Sequence, residues 1–543
     1  MKDFSFKTRD ENLKRLKSEK FDLLIIGGGI TGAGVARDAA LRGLKVCLVE
    51  AHDFAFGTSS RSSKLIHGGI RYLENLEFHL VFEALSERAK LFSIAPHLVH
   101  PLRFMIPLFE DSRVGMFKMG MGMILYDALA LFRSPELHEK LNQKKTIERM
   151  PIIKENGLVG SYVYSDAYMD DDRLVHETMR AANEAGAVCV NYTRVLKSVI
   201  ENNKVTGIVV EDLLSKTTFT IATEQVVSNT GPWTDLVGEK LVNDWKKILR
   251  PTKGIHLTFH KDRLPLNCAV VMAAQKSSRI VFAIPRHEMI IVGTTDTDFH
   301  GNPELASVTP DDVKYLLEIT NQYFPGAKLT AKDILSSYVG VRPLVHDSSE
   351  NENKTSREHT IIDDPRGFIF VAGGKYTTYR LMAEQIVDLV IKRWPFERKV
   401  ILNKCKTEQP LNKYTTVDAY EKAKSETGLS ADLKWLAERY GEEAFEIIKR
   451  FGNDLSIWQL EAYQAIYHTM CLSLIDFYSR RVPLVLAYED HGLHLLDAIA
   501  AVFQKELSWS NQETENQKLT LINYIDSELS WRKSFSERTD LII

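Results

Sequence analysis

Residues 21–50 read FDLLIIGGGITGAGVARDAALRGLKVCLVE. Gly27, Gly29 and Gly32 in the pattern G-x-G-x-x-G, with a carboxylate at Glu50, have the types and spacing for holding an adenine dinucleotide. Gly27 permits a tight turn, Gly29 lets the backbone approach a pyrophosphate, and Gly32 lets helix and strand pack closely. Gly28, Ile30 and Thr31 complete the same turn and are taken with them as cofactor contacts. The helix that must follow presents unpaired N–H groups and the positive end of its dipole to the phosphates. Glu50 can accept both hydroxyls of an adenosine ribose. A glycine-rich turn in an ordinary α/β core would give no reason for an acid at the end of an apolar strand.

Those residues require a β-α-β unit to position them. The apolar runs Leu23–Ile26 and Val46–Val49 read as buried strands flanking a helix. A long polar, glycine-rich stretch follows Glu50, of the kind that tends to be functional. Helices are expected over Phe78–Ile94, Leu174–Ala185, Asp311–Phe324 and Tyr379–Trp394. Asp170, Asp171 and Asp172 enrich the start of the second in negative charge. HLTF, CAVVMAA, RIVFAIP and MIIVGTTD, between Ile255 and Asp298, read as strands. Further strands are expected from Ile334 to Val345 and from Gly367 to Ala372, with a charged loop, DSSENENKTSREH, between them. After about residue 405 strand patterns vanish and helical periodicity takes over.

The bulk properties narrow the class. A net charge of −3 gives no reason to expect nucleic-acid binding. Five scattered cysteines with no CxxC pair argue against a disulfide framework or a zinc site, so no metal is expected and a reducing compartment is the simplest reading. The first twenty residues carry mixed charge and no apolar core, and read as a capping helix rather than a secretory signal. No uncharged apolar run is long enough to span a bilayer. The nearest stretch, VGMFKMGMGMILYDALALF at Val114–Phe132, is interrupted by Lys118 and Asp127. It reads first as core packing, and alternatively as a Met-rich surface that touches lipid or a lipophilic partner.

A long β-rich insertion, with a Gly-Gly turn before a late helix, resembles the glutathione-reductase-like flavoproteins of the amino-acid-oxidase superfamily. Five ordered motifs resemble more specifically the FAD-dependent glycerol-3-phosphate dehydrogenases. They are TSSRSSKLIHGGIRYLE from Thr58 to Glu74, NTGPW at Asn229–Trp233, GTTD at Gly293–Asp296, GVRPL at Gly340–Leu344 and GGKYTTYR at Gly373–Arg380. The resemblance spans roughly residues 20 to 530. It implies an α/β fold in which a Rossmann-like FAD-binding domain (21–95, 155–235 and 345–395) is interleaved with a β-rich substrate domain (96–154 and 236–344). An all-α C-terminal domain (405–543) and an N-terminal capping segment (1–20) complete the expected organisation.

The same resemblance implies site residues. Thr58, Ser59, Ser60 and Ser63, with Lys64 and Leu65, match the segment along the ribityl chain and pyrophosphate. Val195 matches the position whose backbone contacts the adenine, and Gly231 lets the chain pass close to the cofactor. Gly374, Lys375, Thr377 and Thr378 match the segment that closes on the isoalloxazine. Noncovalent FAD is expected. A phosphomonoester substrate brings close to two negative charges, and arginine forks match its oxygens. Arg71 with its neighbour Tyr72, Arg342, and Arg357 in the charged loop are the candidates to bind it. Oxidising a secondary alcohol also needs a base. His256 and His67 both match family positions; His256 is favoured, but the sequence does not separate them. Lys375 is expected either to stabilise negative charge on the reduced flavin or to hold a substrate hydroxyl.

The implied reaction is oxidation of sn-glycerol 3-phosphate to dihydroxyacetone phosphate by hydride transfer to FAD, with electrons passed to a quinone at the membrane surface. The expected location is cytoplasmic, with peripheral attachment to the membrane's cytoplasmic face as the route to quinone. A homodimer is compatible with the sequence. The closest alternative is an oxygen-using glycerol-3-phosphate oxidase. That group carries an insertion between GVRPL and GGK, for which the segment from Arg342 to Lys375 looks too short. A carboxylate-binding amino-acid oxidase would need only one arginine, and a flavin-binding regulatory protein would not need the whole polar set.

Overall fold

The computed structural model describes residues 3–273, 279–287, 289–345, 359–427, 429–452 and 454–537. Arg357, most of the charged loop and the last residues of the helical tail lie outside them.

Three sheets organise the chain. The dinucleotide motif belongs to a six-stranded sheet ordered Thr360–Asp364, Phe368–Ala372, Val226–Ser228, Leu23–Ile26, Val46–Val49, Val188–Val190. All its pairings are parallel except the first. Alternation decides what each face meets. Leu23, Ile25, Val46 and Leu48 enter a core shared with the helices Ile30–Arg42, Asp171–Glu184 and Tyr379–Lys392. Leu24, Ile26, Cys47 and Val49 enter a second core, against a four-stranded sheet and the N-terminal helix Phe6–Ser18. Both faces are covered, so these strands are continuously apolar, as parallel sheets require.

The largest sheet has ten strands. Its central members are Thr252–His260, Met289–Gly293, Ile280–Arg286, Ala269–Ala273 and Val99–Phe109, and Ile334–Arg342 pairs with Thr252–His260. Leu158–Met169, placed with the cofactor segments on sequence grounds, pairs here with Val99–Phe109. Ile255, Leu257 and Phe259 point into a core shared with the helix Pro310–Tyr323 and the C-terminal helices, which turns His256 to the opposite face. From residue 417 to 537 the regular structure is helical.

The helix Met116–Leu129 departs from the core-packing expectation. Only Met123, Tyr126 and Asp127 of it are buried. Phe117 is 83% exposed and Ile124 59%, and Phe132 just beyond it is 62% exposed. Apolar residues run all round this helix, but only one side meets the large sheet and the helix Phe78–Ile94. Leu76, Phe78 and Phe82, at and before the start of the neighbouring helix Phe78–Ile94, are also exposed. Among the described residues no helix is long and apolar enough to cross a membrane.

Candidate active site

At the end of the first strand, Gly27 takes φ +104°, and a Cβ there would meet the Asn229 carbonyl oxygen at 2.5 Å. A Cβ on Gly32 would overlap the Gly27 carbonyl, so the helix can approach the turn only as glycine. Glu50 is held from two sides: its carboxylate accepts from the Gly28 N–H at 2.6 Å and the His52 N–H at 2.9 Å. Burial nevertheless pushes its carboxyl up, against the effect of those two donors.

A cavity of about 650 Å³ begins at this turn. Glu50 and Thr193–Val195 line one end, and Gly29, Thr31, Thr58, Ser59 and Asn229–Gly231 line the middle. His67, Tyr72, His256, Arg342 and Lys375 line the other end. Beside the turn, both polar side-chain atoms of Asn229 and the Trp233 indole N–H are buried and find no partner among the described residues. Buried polar groups are normally satisfied. A long polar cofactor seated on the glycine turn fits that deficit and the cavity's size.

The far end is built from three strands of the large sheet. His256 stands directly across from Gly293 on one neighbour and Tyr338 on the other. A Cβ on Gly293 would overlap the imidazole. His256 Nε2 lies 2.8 Å from the Ser63 hydroxyl, whereas Nδ1 has no partner among the described residues. Burial, then the cations Arg342 and Lys64, hold His256 well below the usual histidine range, so it is neutral at physiological pH.

Arg342 lies over Gly254, where a Cβ would overlap its guanidinium. Its Nη1 donates to Asp296 at 3.0 Å and its Nη2 to the Thr294 hydroxyl at 2.9 Å. Lys375 follows Gly373 and Gly374, both at positive φ, and its ammonium sits 4.0 Å from the centre of the Tyr72 ring. The His67 N–H donates to the Thr377 hydroxyl at 3.2 Å, joining the two motif loops.

Most residues singled out from the sequence therefore meet in one cavity. Gly28, Gly32, Ser60, Lys64, Arg71 and Thr378 stand outside its lining. Lys64 pairs its ammonium with Asp171, and Arg71 occupies the short helix Ile70–Asn75. Tyr338, Asn229 and Trp233 carry no side-chain role predicted from the sequence. Only NTGPW, which contains the last two, gave any signal.

The fold and the cavity define an FAD-dependent oxidoreductase, and the family described as FAD dependent oxidoreductase matches residues 22–389. The C-terminal domain of alpha-glycerophosphate oxidase matches residues 412–514. The aerobic glycerol-3-phosphate dehydrogenase of Staphylococcus saprophyticus is 37% identical over 529 residues, 93% of this chain and 94% of that protein. Its Bacillus subtilis counterpart is 37% identical over 540 residues, 94% of this chain and 97% of that protein. The glycerol-3-phosphate dehydrogenase of Bacillus halodurans, solved in complex with FAD, superposes with a TM-score of 0.78 at 31% identity, covering 97% of this chain and 98% of its own. The chain belongs to the FAD-dependent glycerol-3-phosphate dehydrogenase family.

Proposed function

We propose that this protein oxidises sn-glycerol 3-phosphate to dihydroxyacetone phosphate and passes the electrons to a quinone. The observation that carries this reading is the meeting of Arg342, His256 and Lys375 at one end of a cavity whose other end suits an adenine dinucleotide. Bound FAD supplies the hydride acceptor. Arg342 binds the substrate phosphate, with Arg71 and Arg357 as further cationic partners and Tyr72 shaping the site. His256, neutral because it is buried, takes the hydroxyl proton as the carbon loses hydride, and the Ser63 hydroxyl orients its ring. His67 is the second candidate for that role. Lys375, seated over Tyr72, holds the substrate hydroxyl or balances the negative charge that hydride transfer brings to the cofactor.

The apolar face of the Met116–Leu129 helix, flanked by the exposed cations Arg113, Lys118 and Arg133, is the surface we assign to the bilayer from which quinone is reached. The match of residues 412–514 to an oxidase C-terminal domain favours a second reading, with oxygen as the acceptor. Supplying glycerol 3-phosphate in air, with and without a soluble quinone analogue, separates the two. Quinone reduction far outpacing oxygen uptake is expected. Stoichiometric hydrogen peroxide with no quinone reduction would overturn the quinone assignment, and no turnover with either acceptor would overturn the substrate.

A further inference from the structure

The helical C-terminal region contacts two segments that border the cofactor cavity. Near the adenosine end, buried Asp53 accepts from Arg480 Nε at 2.8 Å and from Arg481 Nη1 and Nη2 at 2.8 and 2.9 Å. The Tyr192 hydroxyl donates to Asp476 at 2.5 Å, and the Tyr192 N–H binds the His52 carbonyl in the loop after Glu50.

At the opposite end the connection runs through Arg61 and the strand Ile334–Arg342. Arg61 lies in the loop that lines the cavity, between Ser59 and Ser63. Its side chain points away, into the C-terminal helix Asn511–Glu528, where Nη1 donates to the Glu528 carboxylate at 2.6 Å and Nη2 to the Tyr524 hydroxyl at 3.0 Å. Burial works against the guanidinium charge, but Glu528 more than compensates and the Arg61 pKa is raised. The backbone carbonyl of the same Glu528 accepts from the Ser337 hydroxyl at 2.7 Å, and the Trp531 indole N–H donates to that hydroxyl at 2.9 Å. Ser337 belongs to the Ile334–Arg342 strand, which carries Tyr338 and Arg342. The loop also touches this strand directly: the Thr58 hydroxyl donates to the Val341 carbonyl at 2.6 Å, and the Arg61 carbonyl occupies the space a Cβ on Gly340 would need.

We propose that Glu528 is a positioning residue for the FAD site, its carboxylate fixing Arg61 in the cofactor loop and its backbone carbonyl fixing the strand that carries Arg342. The helical region thereby sets the spacing between the loop that cradles FAD and the strand that faces the substrate. Without the Glu528 charge, Arg61 would keep its own charge with the Tyr524 hydroxyl as acceptor and draw the loop toward solvent or into the cavity, because a part-buried cation is costly without a counter-ion.

FAD affinity of the full-length apoprotein, measured by flavin fluorescence titration, tests this without reference to substrate. Glu528→Gln is expected to weaken FAD binding at least about tenfold, the scale of a lost charge-assisted hydrogen bond. Glu528→Asp should recover part of that loss. Glu506→Gln weakens the hydrogen bond that Glu506 accepts from the Tyr467 hydroxyl, elsewhere in the helical region; it should lower the melting temperature and leave FAD affinity unchanged. Should Glu528→Gln not fold, Tyr524→Phe removes only the second Arg61 contact and is expected to weaken FAD about threefold. Unchanged FAD affinity in the folded variants, or an equal loss in Glu506→Gln, would overturn the proposal.

Discussion

The imidazole of His256 lies flat against the phenol of Tyr338, with ring centroids 4.7 Å apart and planes 10° from parallel. The Tyr338 hydroxyl donates to the Ser62 carbonyl at 2.9 Å, so the ring supporting the histidine is itself tied to the cofactor loop. Tyr338→Leu removes the flat face and should lower kcat about three- to tenfold, the range expected for losing one aromatic pair. Tyr338→Phe keeps the face and should stay close to wild type. Steady-state kinetics with FAD content measured in parallel checks both; unchanged kcat in Tyr338→Leu would mean that the ring does not position the histidine.

Arg342 and Gly254 form a second such pair. Arg342→Ala should lower kcat/KM for glycerol 3-phosphate about tenfold to a hundredfold, mainly through KM, with FAD content unchanged. Arg342→Lys should not restore it, because an ammonium cannot reproduce the two-pronged contact. Gly254→Ala would push a methyl into the guanidinium and should produce the same KM defect. A Gly254→Ala enzyme with wild-type KM would show that the observed arginine placement is not the one used.

Buried histidines give stability a defined pH dependence. Burial holds His97, His176 and His256 well below the usual range, and His100 and His468 at about 4. The unfolded chain takes up protons near pH 6.5 while the folded chain does not, so stability falls as pH drops below about 6.5. Each histidine that stays neutral contributes a loss of about 1.4 kcal/mol per pH unit in that window. The loss should end near pH 4 for His100 and His468. Urea midpoints should therefore fall steeply from pH 7 to pH 5. The same neutrality predicts that kcat at saturating substrate shows no acid limb between pH 8 and about 6 from His256. Flat midpoints would contradict the first expectation, and a limb at about pH 6.5 that His256→Ala abolishes would contradict the second.

The exposed helix face predicts membrane attachment without a spanning segment. Wild-type protein should float with lipid vesicles, whereas Phe117→Glu combined with Ile124→Glu should remain in the dense fraction and still be reduced by substrate. A wild-type protein that stays unbound with oxidised and with reduced flavin would remove this surface from the account.

The sequence carried the cofactor end of the site clearly and the substrate end in part. Strand Leu23–Ile26, the helix after it and strand Val46–Val49 appear where the glycine spacing and apolar runs put them, because that unit is local in sequence. Helix Phe78–Ile94 matches for the same reason. Tyr338 was invisible because it becomes special only through register: strand pairing puts it opposite His256, and nothing in its own segment marks it. Asp171 read as an acid favouring a helix start, yet it also binds the Lys64 ammonium, a partner remote in sequence. The Met-rich helix misled for a complementary reason. Apolar composition predicts burial only where a neighbour exists to bury it, and three-dimensional packing left one side uncovered.

On the proposed function, the Arg342–His256–Lys375 end of the cavity takes a phosphorylated secondary alcohol against FAD. Anaerobic mixing of the holoenzyme with glycerol 3-phosphate or with glycerol, followed by flavin absorbance at about 450 nm, tests it most directly. Rapid bleaching is expected with glycerol 3-phosphate, and bleaching with glycerol should be slower by at least about a hundredfold, because the arginine has no phosphate to hold. Equal rates with the two, or no bleaching with glycerol 3-phosphate, would contradict it.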